Sequence, residues 1–371
     1  MPLRASPLSA TRCIPTIGRS AGVALVCAVL AMGLAACSEP TDPGAPTRTY
    51  LMGFSHIPPR LTIPDVIATL DKWEPRGDAA IVLITPQWRS MLADTSAAFH
   101  IRREYFEIVN RYRGKGFTII VMIDPTDGLN RSRESPELIA LGRSLAEPEI
   151  RALYNEFAIA ADTILRPHYL GLAMETNLVR AIAPAAVYAN LKLAANEAAG
   201  ALQARGSTTP LFSSVQVETA WGKLPATGQY AGVATDLADF PFIDALGLSS
   251  YPNLTTVEMP EDLPLDYYSR LIPDSSIPMM VVEGGWTSVT ALFPSTPEMQ
   301  ARYIRRQMAI ADHAKLLAIF QLTFTDLDVS VAPPGSPLNP FGSMGLVTAA
   351  FADKPALAEW DRVFAKRLEP R

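Results

Sequence analysis

Two glutamates end apolar stretches of the chain and could act as a pair. Residues 278–286 read Pro-Met-Met-Val-Val-Glu-Gly-Gly-Trp, and residues 169–175 read Tyr-Leu-Gly-Leu-Ala-Met-Glu. Since carboxylates are rarely buried without partners, we expect Glu283 and Glu175 at the open end of a buried strand. Two carboxyls that face each other can cleave a glycosidic bond: one protonates the leaving oxygen, and the other attacks or stabilises the anomeric carbon. The alternative for Glu283 is a strand that ends in a solvated side chain.

Short apolar runs that alternate with longer amphipathic segments would position these glutamates. Apolar runs of this length predict buried strands, and apolar positions with helical spacing predict helices. Ser135 and Thr296 mark helix starts, because each precedes a proline in the first turn. The predicted strands are 50–54, 79–85, 117–123, 169–175, 211–217, 243–249, 279–283 and 317–322, and the predicted helices include 63–73, 101–113, 147–164, 185–204 and 297–313.

Eight strand–helix units predict an α/β fold, a single (β/α)8 TIM barrel over residues 49–371. A doubly wound open sheet is the alternative, although no Gly-x-Gly-x-x-Gly follows the first strand to support its dinucleotide-binding form. In a barrel the carboxyl ends of all strands surround one mouth. Glu175 after strand four and Glu283 after strand seven should therefore meet there.

The first 36 residues differ in composition from the rest of the chain. Arg4, Arg12 and Arg19 precede an uncharged apolar run over residues 21–36. This pattern is typical of a secretory signal peptide, and the ending Leu-Ala-Ala-Cys is similar to a bacterial lipobox. We therefore expect residues 1–36 to be a lipoprotein signal peptide, with a lipid on Cys37 that anchors the protein to a cell-envelope membrane. Residues 37–48 would form a flexible tether. An ordinary signal peptide cut at a nearby alanine is the alternative.

Charge and residue counts disfavour several kinds of partner. The formal net charge is −5 and the leader holds three of the basic residues, so nucleic acid is not expected as a partner. Two of the three cysteines lie in the leader, which leaves no internal disulfide. The four histidines lack metal-binding spacing, and after the leader no Gly-x-Ser-x-Gly is present, so we expect neither a metal nor a cofactor. We expect a monomer.

Three segments resemble a known family. Residues 280–286 (Met-Val-Val-Glu-Gly-Gly-Trp) and 247–252 (Gly-Leu-Ser-Ser-Tyr-Pro) resemble the strand-seven and strand-six segments of arabinogalactan endo-β-1,4-galactanases. Residues 341–346 (Phe-Gly-Ser-Met-Gly-Leu), with Lys-Pro-Ala-Leu at 354–357, are similar to their closing segment. That family belongs to the clan A glycoside hydrolases, which are retaining (β/α)8 enzymes. The resemblance implies a retaining hydrolase of β-linked poly- or oligosaccharides, with Glu175 as acid/base and Glu283 as nucleophile.

The resemblance also implies how these glutamates are tuned. Tyr251 would hydrogen-bond Glu283 and keep it ionised, while burial or the charge of Glu283 would let Glu175 hold its proton. Met174 departs from the pattern, because most of the clan has there an Asn that binds the sugar 2-hydroxyl; the nearest Asn is Asn177. Thr-Phe at 323–324 likewise replaces a common Trp. A non-catalytic glycan-binding lipoprotein on the same barrel is therefore the alternative function, and a metal-dependent deacylase is a third.

Further side chains are candidates for sugar binding. Aromatic faces stack on sugar rings, although each tryptophan could instead pack in the core or a loop. Asp124 could bind a sugar hydroxyl or cap the loop before Pro125. The predicted substrate-binding residues are Tyr251, Trp286, Trp88, Trp221, Asp124, Gln216, His56 and Asp326.

Overall fold

A closed barrel of eight parallel strands forms the centre of the described chain. The computed structural model describes residues 46–255, 257, 259–273, 277–290, 293–331 and 336–369. Barrel neighbours follow chain order, and the last strand pairs with the first. The strands are β1 (Leu51–Ser55), β2 (Ala79–Ile84), β3 (Thr118–Ile123), β4 (Tyr169–Gly171), β5 (Leu211–Gln216), β6 (Ala245–Ser250), β7 (Met279–Gly284) and β8 (Ala318–Gln321). The predicted single (β/α)8 barrel is confirmed.

Helices surround the barrel and bury the outer faces of its strands. Within the described residues, no helix is both long and apolar enough to span a membrane. The helices are α1 (Ile63–Trp73), α2 (Trp88–Leu92), α3 (Ala97–Glu104), α4 (Phe106–Gly114), α5 (Pro136–Ala140), α6 (Pro148–Ala160), α7 (Thr176–Ile182), α8 (Ala185–Ala204), α9 (Val217–Ala220), α10 (Ala234–Asp239), α11 (Pro297–Ala314) and α12 (Pro355–Phe364).

Local sequence explains where several helices begin and end. The Thr296 side chain caps α11 by accepting from the Met299 N–H, and Pro297 occupies the first turn. The helix predicted over 101–113 is instead two helices, because Tyr105 leaves the helical conformation with φ −123°. The helix predicted over 147–164 is α6, followed by a π-helical turn at Ala161–Leu165.

Two apolar layers hold the barrel together. The outer layer joins strands to helices, while the inner layer fills the barrel with side chains such as Ile120, Met122, Phe212 and Met280. Gly171 of β4 leaves room for that packing: a Cβ there would lie 2.0 Å from the Met122 sulfur. The barrel interior is therefore packed, as TIM barrels generally are, and a ligand can enter only at an end.

The amino-terminal predictions lie mostly outside the described residues. Residues 1–36 and Cys37 are among them, so the signal peptide and the lipid stay predictions. The last two residues of the tether predicted over 37–48 form a short strand instead: Thr47–Arg48 pairs in parallel with Arg367–Leu368. Arg48 is buried there and donates to the Tyr50 carbonyl at 2.8 Å. These two residues belong to the folded unit rather than to a tether.

Candidate active site

A cavity of about 470 Å³ opens where the carboxyl ends of the strands meet. Glu175, Glu283, Tyr251, Asp124 and Gln216 all line it. The two glutamates are buried, with 7% and 8% of their surface exposed. Although they are 108 positions apart in the chain, the fold brings both carboxyls to one cavity.

A register shift turns Glu283 into this cavity. Val281 packs in the outer layer and Val282 inside the barrel, so strict alternation would turn Glu283 toward the helices. Val281 lies opposite Leu248 of β6, but the next pair is Ser249 with Glu283. Val282 is thus an extra residue in β7, and such bulges re-aim the side chains that follow. The irregularity places the carboxyl at the mouth.

Glu175 reaches the cavity in a strained backbone conformation. Its φ of 47° and ψ of 46° are left-handed, which costs a non-glycine residue about 1–3 kcal/mol and is concentrated at functional sites. Its N–H donates to the Ser214 Oγ at 3.0 Å. The Asn177 side chain bonds both the N–H and the carbonyl of Gln216, at 2.7 and 2.8 Å. Strand β5 therefore holds the turn that presents Glu175.

Arg131, which the sequence did not single out, connects two of the acidic residues. Its Nε donates to the Glu175 Oε2 at 2.8 Å, and its Nη1 donates to the Asp124 Oδ2 at 2.6 Å and the Thr126 Oγ1 at 3.0 Å. It lines the cavity and is itself buried. No local motif marks it, because it lies in the irregular loop after β3 and meets Glu175 only in the folded chain.

Asp124 lines the cavity and also forms hydrogen bonds within the loop after β3. Its Oδ1 accepts from the N–H and the hydroxyl of Thr126, at 2.9 and 2.7 Å, while its Oδ2 accepts from Arg131. The carboxylate therefore caps the turn after β3, as one of the two predictions had it. This turn fixes the loop that carries Arg131.

The pKa of Glu283 is shifted in the direction opposite to the expected one. Burial and the negative charge of Glu175 raise the pKa of Glu283 to about 8, and the positive charge of Arg131 opposes that rise. Glu283 is thus the carboxyl that keeps a proton near neutrality, while Glu175 faces a guanidinium. The resemblance implied an ionised Glu283, and burial together with the charge of Glu175 is the physical reason that the pKa of Glu283 is raised instead.

Tyr251 lies beside Glu283 in the cavity lining, and its backbone is held from outside the cavity. Its hydroxyl shares a hydrogen bond with Glu283. Its backbone N–H donates to the Glu218 Oε2 at 3.0 Å, and Glu218 also accepts from the Ser250 Oγ and the Tyr267 hydroxyl, at 3.1 and 3.0 Å. Burial raises the pKa of Glu218. This buried carboxyl holds the Tyr251 backbone in place from outside the cavity.

Gln216 lines the cavity with its polar atoms already bonded. Its Oε1 accepts from the Thr219 N–H, and its Nε2 donates to Glu218. It therefore caps helix α9, and its side chain supports Glu218 rather than standing ready for a sugar.

The three predicted tryptophan platforms lie elsewhere. Trp88 and Trp286 are buried in the outer apolar layer, and the Trp286 Nε1 donates to the Ser295 Oγ at 3.0 Å. Trp221 stacks on Tyr267 with ring centroids 5.1 Å apart. None of the three lines the cavity. The structure therefore does not bring the three predicted platforms to the cavity, and their rings pack against neighbouring aromatic residues instead.

His56 and Asp326 are also absent from the cavity lining. The His56 ring hydrogen-bonds the backbone at Ile81, and burial lowers the pKa of His56 to about 4, so the ring is neutral at neutral pH. Asp326 accepts from the Lys354 Nζ at 2.7 Å in a largely buried ion pair. His56 and Asp326 lie after β1 and β8, as predicted, but their side chains contact other parts of the protein and not the cavity.

Met174, which stands where most of the clan has an Asn, and the nearby Asn177 have different surroundings. Met174 lines the cavity, and its side chain joins the inner layer. Asn177 uses its amide on the Gln216 backbone and does not line the cavity.

Within the described ranges, no group of three or more His, Cys, Asp or Glu side chains is arranged to hold a metal ion.

Comparison with known proteins identifies neighbours by fold. No protein-family model and no curated protein matches the sequence. An exo-β-1,4-mannosidase from Opitutaceae bacterium strain TAV5 superposes with a TM-score of 0.64, at 14% identity over 86% of this chain. The Ignisphaera aggregans GH53 catalytic domain gives 0.59, at 14% identity over 87%. A family 39 glycoside hydrolase from Bacteroides cellulosilyticus WH2 gives 0.57, at 16% identity over 85%.

This chain covers a different fraction of the length of each neighbour. This chain spans 59% of the mannosidase and 63% of the family 39 enzyme, but 98% of the GH53 domain. At such identities the likeness concerns the fold. The chain therefore has the (β/α)8 fold of these glycoside hydrolases.

Proposed function

We propose that this protein is a retaining glycoside hydrolase for β-linked sugars. The observation that carries the proposal is the pair of buried carboxyls, Glu175 and Glu283, on one cavity at the catalytic end of a TIM barrel. Two carboxyls that flank one bond are the equipment for glycoside hydrolysis. The structural neighbours are glycoside hydrolases, which supports the same reaction class.

The proposed roles follow the positions of the two glutamates on the barrel. A Glu283 oxygen attacks the anomeric carbon as the glycosidic C–O bond breaks, and Glu175 gives its proton to the leaving oxygen. Water then attacks the glycosyl–Glu283 ester and returns a proton to Glu175. Tyr251 would stabilise the Glu283 carboxylate through its hydroxyl.

These roles require a proton to move when a glycoside binds. Coupled carboxyls in one cavity share a proton between them. In this structure Arg131 contacts Glu175, and the raised pKa of Glu283 keeps the proton on Glu283. A glycosidic oxygen beside Glu175 would favour protonated Glu175, and positive charge developing at the anomeric carbon would favour ionised Glu283. We propose that Arg131 loosens its contact with Glu175 in that step.

The same electrostatics support a second assignment, with the roles exchanged. Protonated Glu283 would then be the acid and ionised Glu175 the nucleophile. Both assignments give the same reaction, but they place the covalent intermediate on different residues. Trapping that intermediate and mapping the labelled residue distinguishes the two assignments.

Activity on a panel of aryl and natural β-glycosides tests the proposed function. Glu175→Gln and Glu283→Gln should each lower kcat by about 10²-fold or more while substrate affinity is largely kept. Glu149→Gln is the matched control, since that side chain is 68% exposed on α6. If the wild type binds glycans but neither substitution alters any turnover, the non-catalytic binding protein is the better description.

We propose further that the protein is a lipoprotein of the cell envelope, anchored through Cys37. The arginines, the apolar run and the Leu-Ala-Ala-Cys ending of the leader support this. Mass spectrometry of the amino-terminal peptide from a bacterial membrane fraction should show a lipid on Cys37. A Cys37→Ala variant should leave that fraction, and an unmodified mature terminus at another alanine would contradict the proposal.

A further inference from the structure

The charged side chains of the cavity come from three of the eight strands. Asp124 and Arg131 follow β3, Glu175 follows β4, and Glu283 lies near the end of β7. Among the described residues, the strands β8, β1 and β2 and the segments that follow them contribute nine lining residues, none of them charged, and these strands are adjacent in the closed barrel. Their polar members are two threonines. The wall over β8, β1 and β2 is therefore an uncharged, apolar sector, and the wall from β3 to β7, which we call the charged sector, holds all four charged side chains among further apolar ones.

The apolar sector is a surface that a ligand can reach. We define it by six side chains that line the cavity and are each partly exposed: Ile57, Leu83, Leu322, Leu327, Leu338 and Phe341. Across the mouth, Leu129 and Ile182 also line the cavity and are 50% and 40% exposed. Apolar surface that remains in water is favourably covered by an apolar ligand group.

The lining does not suit a long, polar glycan. All five tryptophans of the chain lie in the described residues, and none of them lines the cavity. The aromatic side chains that do line it are Tyr251 and Phe341, whose rings meet edge to face at 5.3 Å. The faces on which successive sugar rings would stack are thus few, whereas aliphatic side chains are many.

We infer that the substrate is an amphiphilic β-glycoside, with a sugar held by the charged sector and an alkyl or lipid-like aglycone held by the apolar sector. This inference rests on the proposed function and names its substrate class. The scissile bond then lies between Glu175 and Glu283, and the aglycone extends from it along the apolar sector. The leaving group is an apolar alcohol, which takes the proton of the acid when the glycosidic bond breaks.

Calorimetry and turnover with methyl and octyl β-glycosides of glucose, galactose and mannose test the inference, with octyl glycosides kept below their micelle concentrations. Each buried methylene strengthens binding about fourfold, so burial of three gives about a 60-fold lower Kd for an octyl than for a methyl glycoside. Leu327→Asn should lose a large part of that preference. Leu193→Asn, at a 44% exposed position on α8 outside the cavity, should keep it.

The outcomes separate this inference from the proposed function. Equal Kd values for the octyl and methyl glycosides overturn it, even if both are hydrolysed. Undiminished octyl preference in Leu327→Asn also overturns it, because the chain would then bind elsewhere. Tight octyl binding that Leu327→Asn weakens supports the apolar sector even if no glycoside is cleaved, and in that case the hydrolase proposal fails alone.

Discussion

Arg131 donates a hydrogen bond to Glu175 across 2.8 Å inside the cavity, where both side chains are buried. The guanidinium also pairs with Asp124 at 2.6 Å, and its charge reaches Glu283. A single cation therefore faces three carboxyls, and its charge opposes the rise in the pKa of Glu283. The arrangement links the charge of Arg131 to both proposed catalytic glutamates.

Replacing this cation should change how the carboxyl pair titrates. Arg131→Met removes a charge that lowers the pKa of Glu283, so that pKa should rise further above about 8. Carbon NMR of labelled glutamate side chains measures the change directly. Arg131→Lys keeps the positive charge and should show a smaller shift. Identical titration curves for wild type and Arg131→Met would mean that the contact has no electrostatic effect.

Glu283 should make stability depend on pH. Its pKa is about 8 in the folded protein, above its ordinary value of 4.5, so the folded state holds a proton that the unfolded chain releases. This contribution is complete below about pH 4.5 and is lost as the pH rises through about 8. Relative to Glu283→Gln, the free energy of unfolding of the wild type should fall across that window, by at most about 1.4 kcal/mol per pH unit. Parallel curves from denaturant titrations would contradict the raised pKa.

Trp286 should contribute to folding and not to substrate binding. It is buried, bonds Ser295 and lies with its ring centroid 5.3 Å from that of Tyr303. Trp286→Phe should lower the free energy of unfolding by about 1–3 kcal/mol through lost packing and a lost hydrogen bond. KM should change less than twofold. A large rise in KM with unchanged stability would restore the sugar platform expected from sequence.

The ion pair between Asp326 and Lys354 should stabilise the loop after β8. The Lys354 Nζ also donates to the Ser288 Oγ at 2.9 Å, and burial raises the pKa of Asp326 while Lys354 opposes that rise. Lys354→Met leaves a buried carboxyl without its cation and should cost about 3–5 kcal/mol of stability. The control is Lys72→Met, whose exposed pair with Asp353 should be worth about 0–1 kcal/mol.

A double variant checks the reason for that loss. Asp326→Asn combined with Lys354→Met removes the uncompensated charge and should recover part of the lost stability. Equal losses in the single and double variants would show that lost packing of the lysine, rather than an unpaired carboxyl, is responsible.

The barrel could be predicted because its strands depend on local composition. Runs such as 118–123 are apolar on both faces, which suits a parallel sheet covered by helices, and the structure has strands at all eight predicted places. The two glutamates could be placed at the mouth because each ends such a run. The break at Tyr105 could not be foreseen, since the apolar pattern continues through it.

Other parts of the site depend on contacts between distant segments. The role of Arg131 could not be predicted, because its contact with Glu175 forms only when the loop after β3 folds against the turn after β4. The direction of Glu283 depends on a one-residue shift in the pairing of β7 with β6, which alternation alone does not predict. Tryptophan suits both a core and a sugar platform, so Trp88 and Trp286 were ambiguous until their neighbours were known.

The central claim is that Glu175 and Glu283 act on one glycosidic bond, with Glu283 as the nucleophile. The most direct test treats the protein with 2,4-dinitrophenyl 2-deoxy-2-fluoro-β-glycosides of several sugars, which slow the second step and trap the glycosyl–enzyme ester. Peptide mapping by mass spectrometry should find the label on Glu283, and Glu175→Gln should still accept it because the leaving group needs no acid. A label on Glu175 would contradict the assignment in favour of the exchanged roles. Turnover of the parent glycosides with inversion and no label would contradict the retaining mechanism itself.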